Sequence, residues 1–517
     1  MGKKDKKKGK GAEKTVAKTE KKAAAKLKKE LAAKGEDDIE KLISEFVEAD
    51  RKRLTVSEEL VGPPSFRSGL SMCVHPEKDQ LLLFGGEYFN GSKTIMYNDL
   101  YFYNIKKNNW LLLKAPNLPP PRCAHQAVVV PQGGGQMWVF GGEFASPTRS
   151  QFYHYKDLWM FSLTNKCWEH VSAPGGPSAR SGHRMVQMGR QLLVFGGFHE
   201  NARDYKYFND LYLFSLDERK WTKLEPVNVG PCPRSGCQLA STTDGRIVVY
   251  GGYSREHLKK DVDRGVAHTD MYTLQSDARG TTPPKWKWVQ VKQGGSRPGP
   301  RSGLSLAPCP PNRAYLFGGV QDTEDEEDLE GHFFNDLYLL ELDKGLWRVL
   351  ELRGEATDED KAKGKKQEKA AESKEAEGEA AEEIERLTIQ EPSVVTSDDG
   401  VFTVTVGGST EAAPTDRSAV ASREANNAFV PVARMNACMA IKHNVLYLYG
   451  GMVEDGDKQF TLSDMYCLDL GKLDTWKVLV PLDSKTQEWL GSDSESGEEE
   501  EGEDMEVDEE AESEIED

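Results

Sequence analysis

Six times along the chain an apolar run ends in two glycines: LLLFGG (81–86), MWVFGG (137–142), LLVFGG (192–197), IVVYGG (247–252), AYLFGG (314–319) and LYLYGG (446–451). The second glycines stand at 86, 142, 197, 252, 319 and 451, so the steps are 56, 55, 55, 67 and 132 residues. Each pair is followed by a segment of one type: YNDLYFY (97–103), YKDLWMF (155–161), FNDLYLF (208–214), HTDMYTL (268–274), FNDLYLL (334–340) and LSDMYCL (462–468). A tryptophan comes next: Trp110, Trp168, Trp221, either Trp286 or Trp288, Trp347 and Trp476. An arginine turn precedes each pair, at Arg67, Arg122, Arg180, Arg234, Arg301 and Arg434. Self-similarity at a near-fixed period means stacked units, none of which buries its apolar face alone.

Each unit reads as four strands, a to d. Strand a follows the arginine turn, b is the run ending in Gly-Gly, c is the Asp-Leu-Tyr segment and d starts near the tryptophan. Alternation and aromatic enrichment support strands, and the near-continuous apolar b runs fit strands buried on both faces. Gly-Gly at a strand end permits positive φ and close backbone approach. The Asp is expected to cap the turn into strand c, and the Trp to pack between sheets.

Paired Gly, Tyr and Trp at this period resemble the kelch family. The resemblance implies an all-β fold: a six-bladed kelch-type β-propeller over 54–482, with blades near 67–117, 122–175, 180–228, 234–293, 301–353 and 434–482. The long fifth step holds a charged insertion, 354–428, expected to be disordered or a solvated helix. Within it VFTVTVGG (401–408) imitates a b strand, but no Asp-Leu-Tyr segment or Trp follows before Arg434. A degenerate seventh blade is therefore the lesser alternative.

The arms are strongly charged. Residues 1–35 carry 14 Lys against 4 acids and read as a disordered tail; 483–517 form an acidic tail whose last 26 residues hold 16 acids and no base. Between tail and propeller, 36–53 read as an amphipathic helix with Ile39, Leu42, Ile43, Phe46 and Val47 on one face. That face is expected to dock on the propeller, with a partner's groove as the alternative. Leu54–Ser57 could add a strand near ring closure.

Eight cysteines are scattered without a CxxC pair or zinc spacing, so no metal is expected and a reducing compartment, cytoplasm or nucleus, fits. No secretory segment, membrane span or membrane partner is expected. Some kelch-type relatives hold copper or iron, but Glu256, Asp261 and His268 do not match a regular acidic/His ligand pattern. No enzyme activity and no cofactor are expected.

Alternating strands put the b–c and d–a connections on one face, and all the long ones are of this kind. Variable loops on a rigid scaffold are where recognition lives. That face offers Tyr88, Phe89, Tyr153, Tyr205 and Tyr207 as aromatic anchors and Arg255, Lys259 and Lys260 as a basic loop. The resemblance adds Arg67, Arg180, Arg234 and Arg301, because some kelch relatives bind acidic peptides through arginines of an RSG turn. The competing role, holding blades together, comes first because all six repeats share the arginine. Ser492 and Ser496, each with an acid three residues on, are candidate phosphorylation sites.

The expected function is a non-enzymatic protein-interaction scaffold whose loop face grips a protein partner. One alternative is a ribosome- or RNA-associated factor using the N-terminal lysines for weak phosphate contact. Another is a substrate receptor of a ubiquitin ligase, as some kelch proteins are.

Overall fold

The computed structural model describes residues 38–51, 55–201, 204–259, 262–277, 284–324, 329–354, 428–456, 458–483, 487, 489 and 490. The tail 1–35, nearly all of the 354–428 insertion with its 401–408 run, Lys260, Ser492 and Ser496 lie outside these residues. The chain divides into two compact units, one of residues 1–350, 431–470 and 477–517 and one of residues 351–430 and 471–476. Within the second, the Arg353 and Gly354 N–H groups donate to the carbonyls of Leu473 (2.8 Å) and Asp474 (3.0 Å).

The first unit carries six sheets, one per repeat, each built on four antiparallel strands, with Gly294–Gly295 adding a short parallel pairing at the outer edge of the fifth. Strands a to d are Ser71–Val74, Gln80–Phe84, Leu100–Asn104 and Asn109–Lys114 in blade one, and Gln126–Val130, Gln136–Phe140, Leu158–Ser162 and Cys167–Val171 in blade two. Blade three has Arg184–Met188, Gln191–Phe195, Leu211–Ser215 and Lys220–Leu224; blade four has Gln238–Ser241, Ile247–Tyr250, Met271–Asp277 and Lys285–Gln290. Blade five has Ser305–Cys309, Arg313–Phe317, Leu337–Glu341 and Leu346–Val349; blade six has Cys438–Lys442, Val445–Asp455, Lys458–Asp469 and Lys477–Val480. The a strands touch in sequence around the ring, and the sixth meets the first. The six-bladed propeller is closed.

Two devices join neighbouring blades. The aromatic just before the glycine pair packs on the tryptophan of the next blade: Phe84 on Trp168 (5.0 Å between centroids), Phe140 on Trp221 (5.4 Å), Phe195 on Trp288 (5.7 Å), Tyr250 on Trp347 (4.7 Å) and Tyr449 on Trp110 (6.2 Å). Trp288 thus holds the repeat position in blade four, and Trp286 is buried beside it. The glycine pair is the second device. Gly197 donates its N–H to the Arg234 carbonyl of the next blade at 2.9 Å, and Gly86, Gly142 and Gly319 do the same to Arg122, Arg180 and Arg434. A Cβ on Gly196 would lie 2.7 Å from that carbonyl oxygen, and one on Gly197 would lie 2.8 Å from the Ser181 oxygen. Both residues also have positive φ (69° and 96°), so only glycine fits the corner.

The ring closes without strand exchange. Leu81, Leu83 and Trp110 of blade one pack on Tyr447, Tyr449 and Met465 of blade six. The N-terminal strand Ser57–Val61 pairs with Asn109–Lys114 as an outer fifth strand of blade one, so it begins at the last residue of the anticipated 54–57 segment and extends a single blade.

The helix α1, Ile39–Arg51, docks on the same unit. Its Ile39, Leu42 and Ile43 join Met96, Cys123, Phe144, Ala145 and Tyr155 in one apolar cluster. Asn98 Nδ2 donates to Asp50 Oδ2 at 2.8 Å and pins the far end.

Candidate partner-binding face

Every b–c connection is itself a β-hairpin. Five are separate two-stranded sheets: Glu87–Phe89 with Thr94–Met96, Glu143–Ala145 with Phe152–His154, Phe198–Asn201 with Asp204–Tyr207, Tyr253–Lys259 with Val262–Ala267, and Val320–Glu324 with Leu329–Phe333. In blade six the hairpin continues the long b and c strands themselves. The residue after each turn arginine bridges the residue after the glycine pair, as in Ser181 with Phe198 and Ser235 with Tyr253. The hairpins therefore stand on the arginine turns.

Those arginines lie beneath the face. Arg67, Arg122, Arg180, Arg234, Arg301 and Arg434 are exposed by 0–4%. Each pairs with the Asp of its own Asp-Leu-Tyr or Asp-Met-Tyr segment: Asp99 (3.4 Å), Asp157 (2.8 Å), Asp210 (2.6 Å), Asp270, Asp336 (2.7 Å) and Asp464 (2.6 Å). Each also donates to the carbonyl of the first glycine, as Arg180 Nη1 does to Gly196 at 3.0 Å. The aromatic two residues before the Asp lies on the guanidinium: Tyr97, Tyr155, Phe208 and Phe334 stand 3.5–4.2 Å from Arg67, Arg122, Arg180 and Arg301. The Asp is thus the arginine's counter-ion rather than simply a turn cap. For Asp157, burial pushes the carboxyl up, but the Arg122 guanidinium and the Trp159 N–H outweigh it and hold it below the usual carboxylate range.

The aromatic candidates separate into two groups. Tyr88 packs on Phe66 (5.8 Å), and Phe89 is held between Arg149 (4.1 Å) and Trp489 of the chain's own C-terminal segment (5.7 Å). The Leu490 N–H donates to the Asn90 carbonyl at 2.7 Å, which fixes that segment on the first hairpin. The second group is half-buried to exposed. Tyr153 is 39% exposed beside Phe152 at 46%. Tyr205 and Tyr207 meet edge to face at 5.9 Å, and the exposed Arg255 of blade four stands 5.6 Å from the Tyr205 ring. Burial raises the Tyr207 hydroxyl to about 12, against the pull of Arg255. Lys259 ends the first strand of the blade-four hairpin, and its side chain is outside the described residues.

A buried polar cluster lies between the hairpins of blades one to three, unsignalled in the sequence. Glu143 Oε2 accepts from Ser181 Oγ at 2.9 Å and lies 3.5 Å from His154 Nδ1. Burial, then the neighbouring Glu87 carboxylate, raises Glu143 to about 7. Burial, then His199, lowers His154 to about 4, so it is neutral there and does not form an ion pair. In unfolded chain a Glu titrates near 4.3. Between that value and about 7 the folded state binds the extra proton, so stability is greatest below the unfolded pKa and falls as pH rises to about 7. The fall is on the order of 3 kcal/mol. Urea unfolding of Glu143→Gln at pH 5, 6.5 and 8 is expected to lack it, making the variant more stable than wild type at pH 8. Parallel pH profiles would refute this.

Among the described residues no cluster of three or more His, Cys, Asp or Glu is placed to hold a metal, and no helix is long and apolar enough to cross a membrane.

The chain matches the family described as the KLHDC2/KLHL20/DRC7 Kelch-repeats domain over residues 39–252 and 182–364. It is 28% identical to host cell factor of Drosophila melanogaster over 302 residues, 53% of this chain and 18% of that protein. Over 219 residues it is 28% identical to Kelch domain-containing protein 3 of Homo sapiens, 41% of this chain and 54% of that protein. The matched region thus spans about half or less of these relatives. The solved structure titled "Structure of YjhT" aligns with a TM-score of 0.47 and 13% identity, covering 81% of this chain and 99% of that one. With the family match running through five of the six repeats, the chain belongs to the KLHDC2/KLHL20/DRC7 kelch-repeat family.

Proposed function

We propose that the chain is a non-enzymatic protein-interaction scaffold that holds its partner on the hairpin face, in the sector of blades two to four. The observation that carries this is the set of exposed Phe152, Tyr153 and Arg255 and half-buried Tyr205 and Tyr207 on paired strands, with α1 packed on the inner residues of the first two hairpins and residues 489–490 on the first. Aromatic residues and arginine dominate binding hot spots, and β-hairpins lose little entropy on binding compared with free loops. Because the turn arginines are buried and paired, the surface does not depend on them.

Affinity capture with the full chain, compared with a Tyr205→Ala/Arg255→Ala variant, tests the reading. Hot-spot truncation costs about 2 kcal/mol or more, roughly 30-fold in affinity, so the specific partner is expected to disappear from the variant's capture. An unchanged partner set would refute this sector as the site.

A further inference from the structure

Four residues after each turn arginine, the first position of strand a faces the central channel. Around the ring these are Ser71, Gln126, Arg184, Gln238, Ser305 and Cys438, all lining one cavity of about 760 Å³. Four of them tie their blade to the next. Ser71 Oγ meets His125 Nε2 at 2.9 Å, Gln238 Nε2 donates to the Leu304 carbonyl at 2.6 Å, Ser305 Oγ to that of Ala437 at 2.6 Å, and Cys438 Sγ to that of Leu70 at 3.3 Å. Neutral side chains therefore meet the structural demand of this ring.

Arg184 departs from the pattern. Among the described residues it donates one bond, Nη1 to the carbonyl of the preceding residue, His183, at 3.1 Å. Among the described residues no carboxylate pairs with it. Glu87 and Glu143, which also line the cavity, are engaged with Arg149 (3.7 Å) and Ser181 (2.9 Å) instead. Burial lowers its pKa, and its charge is felt by the Cys237 and Cys438 thiols of blades four and six. Gln126 of the adjacent blade keeps one amide hydrogen beyond its bond to the His125 carbonyl. A guanidinium presents five donors in a planar fork that matches tetrahedral and carboxylate oxyanions. A partly buried cation without a counter-ion is costly unless a bound anion completes it.

We propose that the central channel is a binding site for a small oxyanion of the phosphate class, held by the free N–H groups of Arg184 with the Gln126 amide beside it. The channel lies at the feet of the hairpins, whose first residues Glu87 and Glu143 line it, but it uses none of Phe152, Tyr153, Tyr205, Tyr207 and Arg255, so either site can fail without the other.

Inorganic phosphate is titrated into the full chain and followed by phosphorus NMR line width, with potassium chloride holding ionic strength constant. Saturable binding of one phosphate per chain is expected, at least tenfold weaker in Arg184→Gln. Absence of saturable broadening in the wild type overturns the proposal. Equal binding by Arg184→Gln also overturns it and assigns the anion to the N-terminal lysines. A readout on wild-type protein guards against a variant that does not fold. Phosphate is expected to slow phenylglyoxal modification of Arg184 several-fold relative to Arg348, by peptide mapping. Equal rates with and without phosphate overturn the proposal as well.

Discussion

Arg434→Ala is expected to destabilise the propeller by about 3–5 kcal/mol, the usual result of removing one member of a buried ion pair. Arg434 and Asp464 are both at 0% side-chain exposure. Two parallel bonds join them, Nη1 to Oδ1 at 2.6 Å and Nη2 to Oδ2 at 2.8 Å, and Tyr466 OH donates to the same Oδ2 at 2.8 Å. Alanine would leave that carboxylate in a dry corner with one neutral donor. It would also orphan the carbonyls of Gly450 and Val432, which accept from Nη1 (2.9 Å) and Nε (3.0 Å). The double variant Arg434→Met/Asp464→Leu removes both charges and is expected to regain much of the loss, because the pair's attraction is largely offset by its desolvation. Urea midpoints of the four proteins in this cycle check it. A single-variant loss under about 1 kcal/mol would mean that water reaches the pair and that the corner is not held by charge.

The features legible in the sequence are those that sterics impose identically in every blade. Gly196 and Gly197 had to be glycine because each faces a backbone oxygen within 3 Å, and Trp221 had to be large because a neighbouring sheet presents Phe140 to it. Such requirements repeat, so spacing exposes them. The pairing of Arg180 with Asp210 was hidden in the same repeat, since an Asp at a strand start reads equally well as a turn cap. The hairpins were less visible still: Phe198–Tyr207 lacks the apolar alternation of a half-buried strand, because backbone pairing beyond the blade edge holds it instead. The channel ring is the least legible feature. Ser, Gln, Arg, Gln, Ser and Cys share only the capacity to hydrogen-bond and differ in size and charge, and only aligning the repeats on their turn arginine places Arg184 among them.

Trp221→Ala is expected to cost about 3–5 kcal/mol, the range for truncating a buried Trp where the site cannot collapse. The ring is 5% exposed and lies 5.4 Å from Phe140 of blade two and 5.0 Å from Phe214 of its own blade. A Cβ on Gly176, after the last strand of blade two, would lie 2.7 Å from the Trp221 indole nitrogen, so the wall there fits the indole closely and has no side chain to refill the space. Trp221→Phe keeps most of the contact with Phe140 and is expected to lose about half as much. Phe152→Ala, on the exposed hairpin of blade two, is expected to change stability by under about 0.5 kcal/mol. The closed ring adds a second expectation. In an open array each repeat leans only on its neighbours, so a damaged interface can melt alone. Here blade six seals against blade one through Tyr449 and Trp110, so weakening the interface of blades two and three loosens a circuit with no free end. A single transition moved to lower urea, with its slope unchanged, is therefore expected by circular dichroism. A second, separate transition for Trp221→Ala would show that the blades unfold piecemeal and that closure does not couple them.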